Sequence, residues 1–222
     1  MDASMKIVAN FYTSERAIKE FKDNDAHQLG LKIWEKDVVA KFFPHNASIL
    51  DIGCGTGREA FCLYDMGFSM TATDISERTI EMAEQFAVES GRNIEFLLTN
   101  GLELPFENNA FDIVIMWAQT FGLFYERKNK LRILKECHRV LKSDGVISFS
   151  GHNKAFIEQH HPQYADGKKF FAYADTDCYW ELFTVSEMET LAKASGFTVL
   201  DCQSGAAGNE SENPIIHCEC RK

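Results

Sequence analysis

One segment limits the folds open to this chain more than any other. Ser48-Ile49-Leu50-Asp51-Ile52 is a short apolar run that enters Gly53-Cys54-Gly55-Thr56-Gly57, and residues with helical spacing begin at Arg58. Strand, tight turn and helix in that order are the context of a nucleotide-binding turn. Glycine reaches positive φ without strain and leaves no Cβ between backbone and ligand. The first turn of the following helix offers free N–H donors. Asp74 closes the next strand, seventeen residues past Gly57. An acid at that point can accept from both hydroxyls of a ribose. Arg58 stands where a dinucleotide fold keeps its third glycine, and no Gly-Lys-Ser/Thr signature exists, so neither a pyrophosphate grip nor phosphoryl transfer is expected.

The rest of the chain alternates in the same rhythm. Strands are expected at 69–73, 94–98, 111–117 and 146–150, with helices at 58–66, 76–90 and 127–141 between them. Ser76 and Gly91 cap the second of these helices. Ser143-Asp144-Gly145 reads as a turn. Thr184 and Glu187 form a capping box for a helix over 185–195. Strands at 197–203 and 215–220 follow with no helix between them, joined by the polar loop 204–213. The spacing predicts an α/β fold with a seven-stranded, mostly parallel sheet, helices on both faces and a C-terminal antiparallel hairpin. Residues 1–45 read as helical, with one piece over 14–21 capped by Ser14 and another over 26–43 stopped by Pro44. Residues 152–183 fit neither period and are rich in aromatics and histidine. A single domain over 1–222 is expected, with the 1–45 segment as a small helical cap and the 152–183 insertion as a lid over the substrate.

Thirty-three acidic against 23 basic residues give a net charge of -10, which disfavours bulk nucleic-acid binding. No run of about 18 apolar residues exists, so no membrane association is expected. Met1 to Asn10 carries no signal-peptide pattern, and a cytoplasmic location is the expectation. Seven cysteines without a C-x-x-C pair suit reduced thiols used as small hydrophobes. Cys218 and Cys220, two apart on a strand, point the same way. Adjacent His160 and His161 without matching acids or thiols do not make a metal site, and none is assigned.

Ile49-Leu50-Asp51-Ile52-Gly53-Cys54-Gly55-Thr56-Gly57 closely resembles the first motif of the class I S-adenosylmethionine-dependent methyltransferases. Ala72-Thr73-Asp74-Ile75-Ser76 resembles the second. Leu104-Pro105-Phe106 with Phe111-Asp112-Ile113-Val114, and the stretch from Leu134 to Gly145, resemble the approaches to the fourth and fifth strands. The chain from about Ala47 onward is similar to the family's small-molecule branch, whose fold also ends in a hairpin. The resemblance implies S-adenosyl-L-methionine as cofactor. It implies that the backbone of Gly53, Cys54 and Gly55 approaches the methionine part, with Gly57 completing the turn, and that Asp51 steers the amino group. Asp74 takes the ribose hydroxyls and Ile75 packs on adenine. Asn100, Gly101 and Leu102 lie along the adenine edge, where Asn100 replaces the family's usual Asp. Trp117 and Ala118 border the sulfur.

Methyl transfer from a sulfonium is an in-line displacement that positioning alone can accelerate strongly. No residue is assigned as catalytic; His152, His160 and His161 are the candidates if a base is used. Phe11, Tyr12, Gln119, Phe121, His152 and Tyr179 are the tentative substrate pocket, with Phe170, Phe171, Tyr173 and Trp180 as further roof aromatics. An acidic chain with an aromatic roof suits a small, neutral or cationic acceptor at N, O or S. An RNA or protein methyltransferase, or a cofactor-binding protein without turnover, are the alternatives. A monomer or homodimer is expected.

Overall fold

The structure is a computed structural model that describes residues 1–24, 26–164, 167–171, 175–205 and 213–222. The sheet is built on β1 (Ser48–Ile52), β2 (Ser69–Asp74), β3 (Glu95–Leu98), β4 (Phe111–Met116), β5 (Leu141–Asn153), β8 (Thr198–Ser204) and β9 (Ile215–Arg221). Its order is β3-β2-β1-β4-β5-β9-β8, parallel through β5, with β9 antiparallel to both neighbours. The seven-stranded sheet and terminal hairpin of the sequence reading are thus present. Chain direction of travel across the sheet reverses between β1 and β4, and ligands in open α/β sheets bind at such a point, above the strand carboxyl ends.

Alternation along the strands divides two cores. In β4, Val114 and Met116 face one core, while Ile113 and Ile115 face the other. Helices α6 (Glu126–Val140) and α8 (Val185–Ala194) cover the first face, joined by α1 (Ala3–Thr13) through Met5 and Val8. Helices α3 (Ile33–Phe42), α4 (Arg58–Asp65) and α5 (Glu77–Ser90) cover the second. The expected caps form. Ser76 Oγ accepts from the Thr79 N–H, Gly91 ends α5 at φ +69°, and Thr184 and Glu187 complete their box.

Three expectations change. The piece over 26–43 is broken: a 3-10 turn spans Ala26–Gln28, and α3 starts only at Ile33. Leu29 and Ile33 are about half exposed, because Trp34, Glu35, Val38 and Val39 are the residues of α3 that turn inward. The 143–145 turn is absorbed into β5, which starts at Leu141; Asp144 at φ +62° and a register shift against β4 take up the extra length. The 152–183 segment contains α7 (Lys154–His160) and a hairpin of β6 (Lys169–Phe170) and β7 (Trp180–Phe183). β7 pairs with His152 and Asn153 at the tip of β5, on the edge that β4 has already left. Helix α2 (Glu15–Asp23) has Ser14 as its N-cap. Loop residues 206–212, and Tyr173 among the roof aromatics, lie outside the described residues.

Candidate active site

At the carboxyl ends of β1, β2 and β4 lies a cavity of about 600 Å³. Its floor hangs on main-chain hydrogen bonds. The N–H groups of Gly53 and Cys54 donate to the Thr73 carbonyl at 2.7 and 3.0 Å. Gly55 N–H donates to Asp74 Oδ2 at 2.9 Å, while Ser76 N–H and Thr79 Oγ1 donate to Oδ1 at 2.9 and 3.2 Å. The bend and the carboxylate therefore meet. Gly53 is required here: its φ is +78°, and an added methyl would overlap Thr120 Cγ2 and lie 2.8 Å from Thr120 Oγ1. Burial raises the Asp74 pKa, against the hydrogen bonds from Ser76, Gly55 and Thr79 that oppose the rise.

Asp51 is 2% exposed, and its Oδ2 has no hydrogen-bond partner. Burial, reinforced by Glu59, pushes its pKa well above the usual carboxylate range. Arg58 Nη1 and Nη2 each meet one oxygen of the fully buried Glu35 at 2.8 Å and Arg58 also contacts Glu59. Burial opposes the guanidinium's charge, but Glu59 and Glu35 outweigh it and raise the Arg58 pKa. The residue that breaks the dinucleotide pattern is thus an ionic bolt between α3 and α4.

Of the cofactor residues read from sequence, Gly53, Cys54, Gly55, Asp74, Ile75, Gly101 and Ala118 line the cavity. Asp51 lies buried in β1 beneath the turn. Gly57 does not line it; at φ +95° it caps α4, and an added Cβ would lie 2.8 Å from the Phe61 ring. Asn100 Oδ1 accepts from the N–H groups of Leu102 and Glu103 at 2.9 and 3.0 Å, so the loop's own backbone already occupies both lone pairs. Leu102 is buried in the core. Trp117 turns away from the cavity, into the second core; its Nε1–H donates to Ser148 Oγ at 2.8 Å and its ring packs on Trp34 and Phe43.

Of the tentative substrate residues, Phe11 and Tyr12 line the cavity. Burial, then Cys178 and Asp74, raise the Tyr12 pKa well above its ordinary value, so the phenol stays protonated at neutral pH. Phe121 is fully buried against Phe149 and Phe183. Tyr179 stacks on Tyr125 at 4.1 Å, while Tyr125 Oη donates to the Tyr179 carbonyl at 2.7 Å. Gln119 and His152 sit at the tips of β4 and β5, outside the lining. Phe170 and Phe171 pack with Tyr164, and Trp180 is the residue of the 152–183 segment that reaches the cavity among the described residues. His160 Nδ1 faces the Phe156 carbonyl at 2.9 Å.

Sequence reasoning missed Glu20, Phe21 and Asn24 of the α2 region, and Thr120, Leu123 and Phe124. Spacing of three to four marked one face of α2, but nothing in the sequence said which object that face meets. Among the described residues no His, Cys, Asp and Glu group is placed to hold a metal ion, and no helix is long and apolar enough to cross a membrane.

A family model described as a methyltransferase domain matches residues 49–145. A demethylmenaquinone methyltransferase of Lactococcus lactis is 33% identical over 160 residues, covering 70% of this chain and 56% of its own length. The cypemycin N-terminal methyltransferase of a Streptomyces species is 34% identical over 99 residues, covering 45% of this chain and 39% of its own. The chain thus spans only part of the length of these curated relatives. Among solved structures, a SAM-dependent methyltransferase of Methanosarcina mazei superimposes with a TM-score of 0.73 at 24% identity, over 87% of this chain and 99% of that one. That likeness is one of fold. Matched motifs and fold together place the chain in the class I S-adenosylmethionine-dependent methyltransferases, to which it belongs, with S-adenosyl-L-methionine as the cofactor of the family.

Proposed function

We propose that the protein transfers a methyl group from S-adenosyl-L-methionine to a small, neutral or cationic acceptor in this cavity. The observation that carries the reading is the meeting of Asp74 with the Gly53–Gly55 turn at the cavity floor. The residues present fit the cofactor: Asp51 keeps a buried, unpartnered oxygen beneath the turn, and the backbone at Gly53 lines the cavity with no room for a Cβ beside Thr120. When bound, the cofactor supplies an electrophilic methyl group on a sulfonium.

In this reading Asp51 draws the cofactor's ammonium to the floor. Asp74, already aligned by three donors, retains acceptor capacity for ribose hydroxyls. Ile75 and Gly101 form the adenine slot: a Cβ at Gly101 would lie 3.2 Å from Met5 Sδ and 3.6 Å from Ile75 Cδ1, so only glycine leaves room for a flat ring. Phe11, Tyr12 and Trp180 roof the remaining space and keep water out. The 1–45 segment and the 152–183 segment act as that roof over a single domain.

Charge supports the acceptor class. Glu20, Glu59 and Asp74 line the cavity, and the one lining cation among the described residues, Arg58, is already paired with Glu35 and Glu59. An anionic acceptor would be buried beside carboxylates without a cationic partner among the described residues. The curated relatives are named for quite different acceptors, demethylmenaquinone and the N-terminus of cypemycin. The acceptor of this chain is therefore a matter for its own cavity.

Calorimetric titration with S-adenosylhomocysteine, followed by mass-spectrometric detection of methylated product across amines, phenols and thiols, tests the reading. Asp74→Ala should weaken cofactor binding about tenfold or more, on the order of 1.5–3 kcal/mol for charge-assisted bonds. Unchanged affinity would remove the ribose assignment. Binding without product from any acceptor would leave a cofactor-binding protein without turnover.

A further inference from the structure

Three cysteine thiols meet on the terminal hairpin. Cys218 and Cys220 alternate along β9 with their sulfurs 3.6 Å apart, and Cys202 of β8 stands opposite Cys218 across the antiparallel ladder. The ladder fixes the kind of pairing. Gly205 N–H donates to the Ile215 carbonyl at 2.9 Å, which makes those two a hydrogen-bonded pair. Opposed residues alternate between bonded and non-bonded pairs. Ser204 with Ile216 is therefore non-bonded, Gln203 with His217 bonded, and Cys202 with Cys218 non-bonded again. In a non-bonded pair the Cα atoms approach to about 4.5 Å and the two side chains lie close on one face. A disulfide spans about 4.4–6.8 Å between Cα atoms, so Cys202 and Cys218 fit one with the backbone in place. Cys218 and Cys220, roughly 6.7 Å apart along a strand, lie at the far end of that range.

The sulfurs differ in access. Cys218 and Cys220 are fully buried. Cys202 is partly exposed, on a strand that pairs with β9 alone among the described residues, and its thiol donates to the Val185 carbonyl at 3.8 Å. Hydrogen bonding with the Cys202 thiol, then with Cys220, joins burial in raising the Cys218 pKa well above its ordinary value, so that thiol stays protonated at neutral pH. A sulfur open to solvent is thus in contact with one that solvent does not reach. The thiolate is the reactive form of cysteine, so the accessible sulfur reacts first. None of the three cysteines lines the cavity, so the cluster is separate from the methyl-transfer site.

We propose that Cys202 and Cys218 are an oxidation site, which a hydroperoxide converts into a reversible cross-strand disulfide that staples β8 to β9. Cys202 gives its proton to solvent, and its thiolate attacks the O–O bond of the peroxide. That bond breaks, Cys202 becomes a sulfenic acid, and with hydrogen peroxide one water leaves. Cys218 then attacks the sulfenic sulfur. The S–O bond breaks, the S–S bond forms, and the Cys218 proton departs with the hydroxyl as a second water. Two thiols are oxidised and one peroxide is reduced to two waters. A dithiol reductant reverses the step by exchange. The staple closes the chain between Cys202 and Cys218 into a loop and so restricts the unfolded state.

The test treats the reduced full chain with hydrogen peroxide, blocks the remaining thiols with N-ethylmaleimide and maps linked peptides by mass spectrometry without reductant. A Cys202–Cys218 link should be the main product and should vanish on addition of dithiothreitol. The thermal midpoint of the oxidised chain should lie about 5–10 °C above that of the reduced chain. Cys202→Ser should lose both the link and the rise, while Cys220→Ala should keep both; the reduced midpoint of each variant reports that it folds. The wild-type peptide map decides by itself if either variant does not. A main link between any other pair, oxidation that stops at Cys202, no reaction at Cys202, or a midpoint that does not rise would overturn the inference. Loss of the link in a folded Cys220→Ala chain would do the same.

Discussion

The Gly53–Gly55 turn hangs from Thr73 and Asp74 by three hydrogen bonds, whereas the roof above it is joined mainly by rings. In that roof Phe11 meets Tyr12 at 5.1 Å and Tyr125 stacks on Tyr179, and the ion pair between Arg16 of α2 and Asp175 lies at the surface. Directional bonds fix the floor's atoms and fail sharply when one partner is lost. Ring contacts are less directional and tolerate rearrangement, so acceptor choice can be retuned in the roof while the cofactor's seat stays fixed.

The seam between the two regions gives the largest expected effect. Glu35→Ala removes the bidentate partner of Arg58 and leaves a buried guanidinium with Glu59 and the Gly30 carbonyl, which Nη1 meets at 3.2 Å. Stability should fall by about 3 kcal/mol, the lower end for a broken buried pair because Glu59 remains. A urea midpoint within error of wild type would show that the seam does not depend on this pair.

On the floor, Gly53→Ala forces a side chain into a left-handed position against Thr120. Affinity for S-adenosylhomocysteine should drop about a hundredfold, ~2.7 kcal/mol, by calorimetry. Near-normal affinity would mean that the turn can shift, and the contrast with the roof would lose its basis.

A third test concerns the sheet behind the floor. His217 Nδ1 faces both oxygens of the fully buried Glu219 at 3.0 and 3.1 Å, its Nε2 faces the Gly205 carbonyl at 3.0 Å, and Trp34 stacks on the ring. Burial alone would lower the His217 pKa, but Glu219, helped by the Gly205 carbonyl and Asp201, raises it above its ordinary value. A raised folded pKa favours the native state while the ring is protonated. That contribution is complete below the unfolded value of about 6.5 and is lost as pH rises through the folded value. Urea midpoints should therefore decline as pH rises above the unfolded value of about 6.5, and His217→Gln should flatten the decline. An equally steep profile in the variant would assign the dependence elsewhere.

The smallest effect belongs to the roof's polar link. Arg16→Ala removes an ion pair exposed at both ends, so the denaturation midpoint should not move measurably. A clear drop would show that the roof leans on a polar latch, contrary to the contrast drawn here.

Much of the floor was legible in the chain itself. Ile49 to Gly57 encodes a strand, a turn and a helix start in consecutive residues, and Asp74 follows from the next strand's length. The two ends of the site meet because β1 and β2 pair in register from Ser48 with Ser69 to Ile52 with Thr73. Other assignments depended on which way a side chain turns. Trp117 and Ala118 are neighbours in sequence, yet one packs into the second core and the other lines the cavity, because the backbone leaves the strand and turns left-handed at Ala118. Asn100 carried the right chemistry for adenine, but its oxygen closes its own loop.

The sequence alone determined the seven-strand order of alternation, the glycine bend, the acid at its far side and the terminal hairpin, since each is encoded within a few neighbouring residues by backbone preference and periodicity. Only the tertiary structure decided which aromatics face the cavity and that Arg58 bolts two helices together. Those outcomes arise where segments far apart in the chain meet, as Arg16 and Asp175 do across 159 residues, and no local pattern encodes the result.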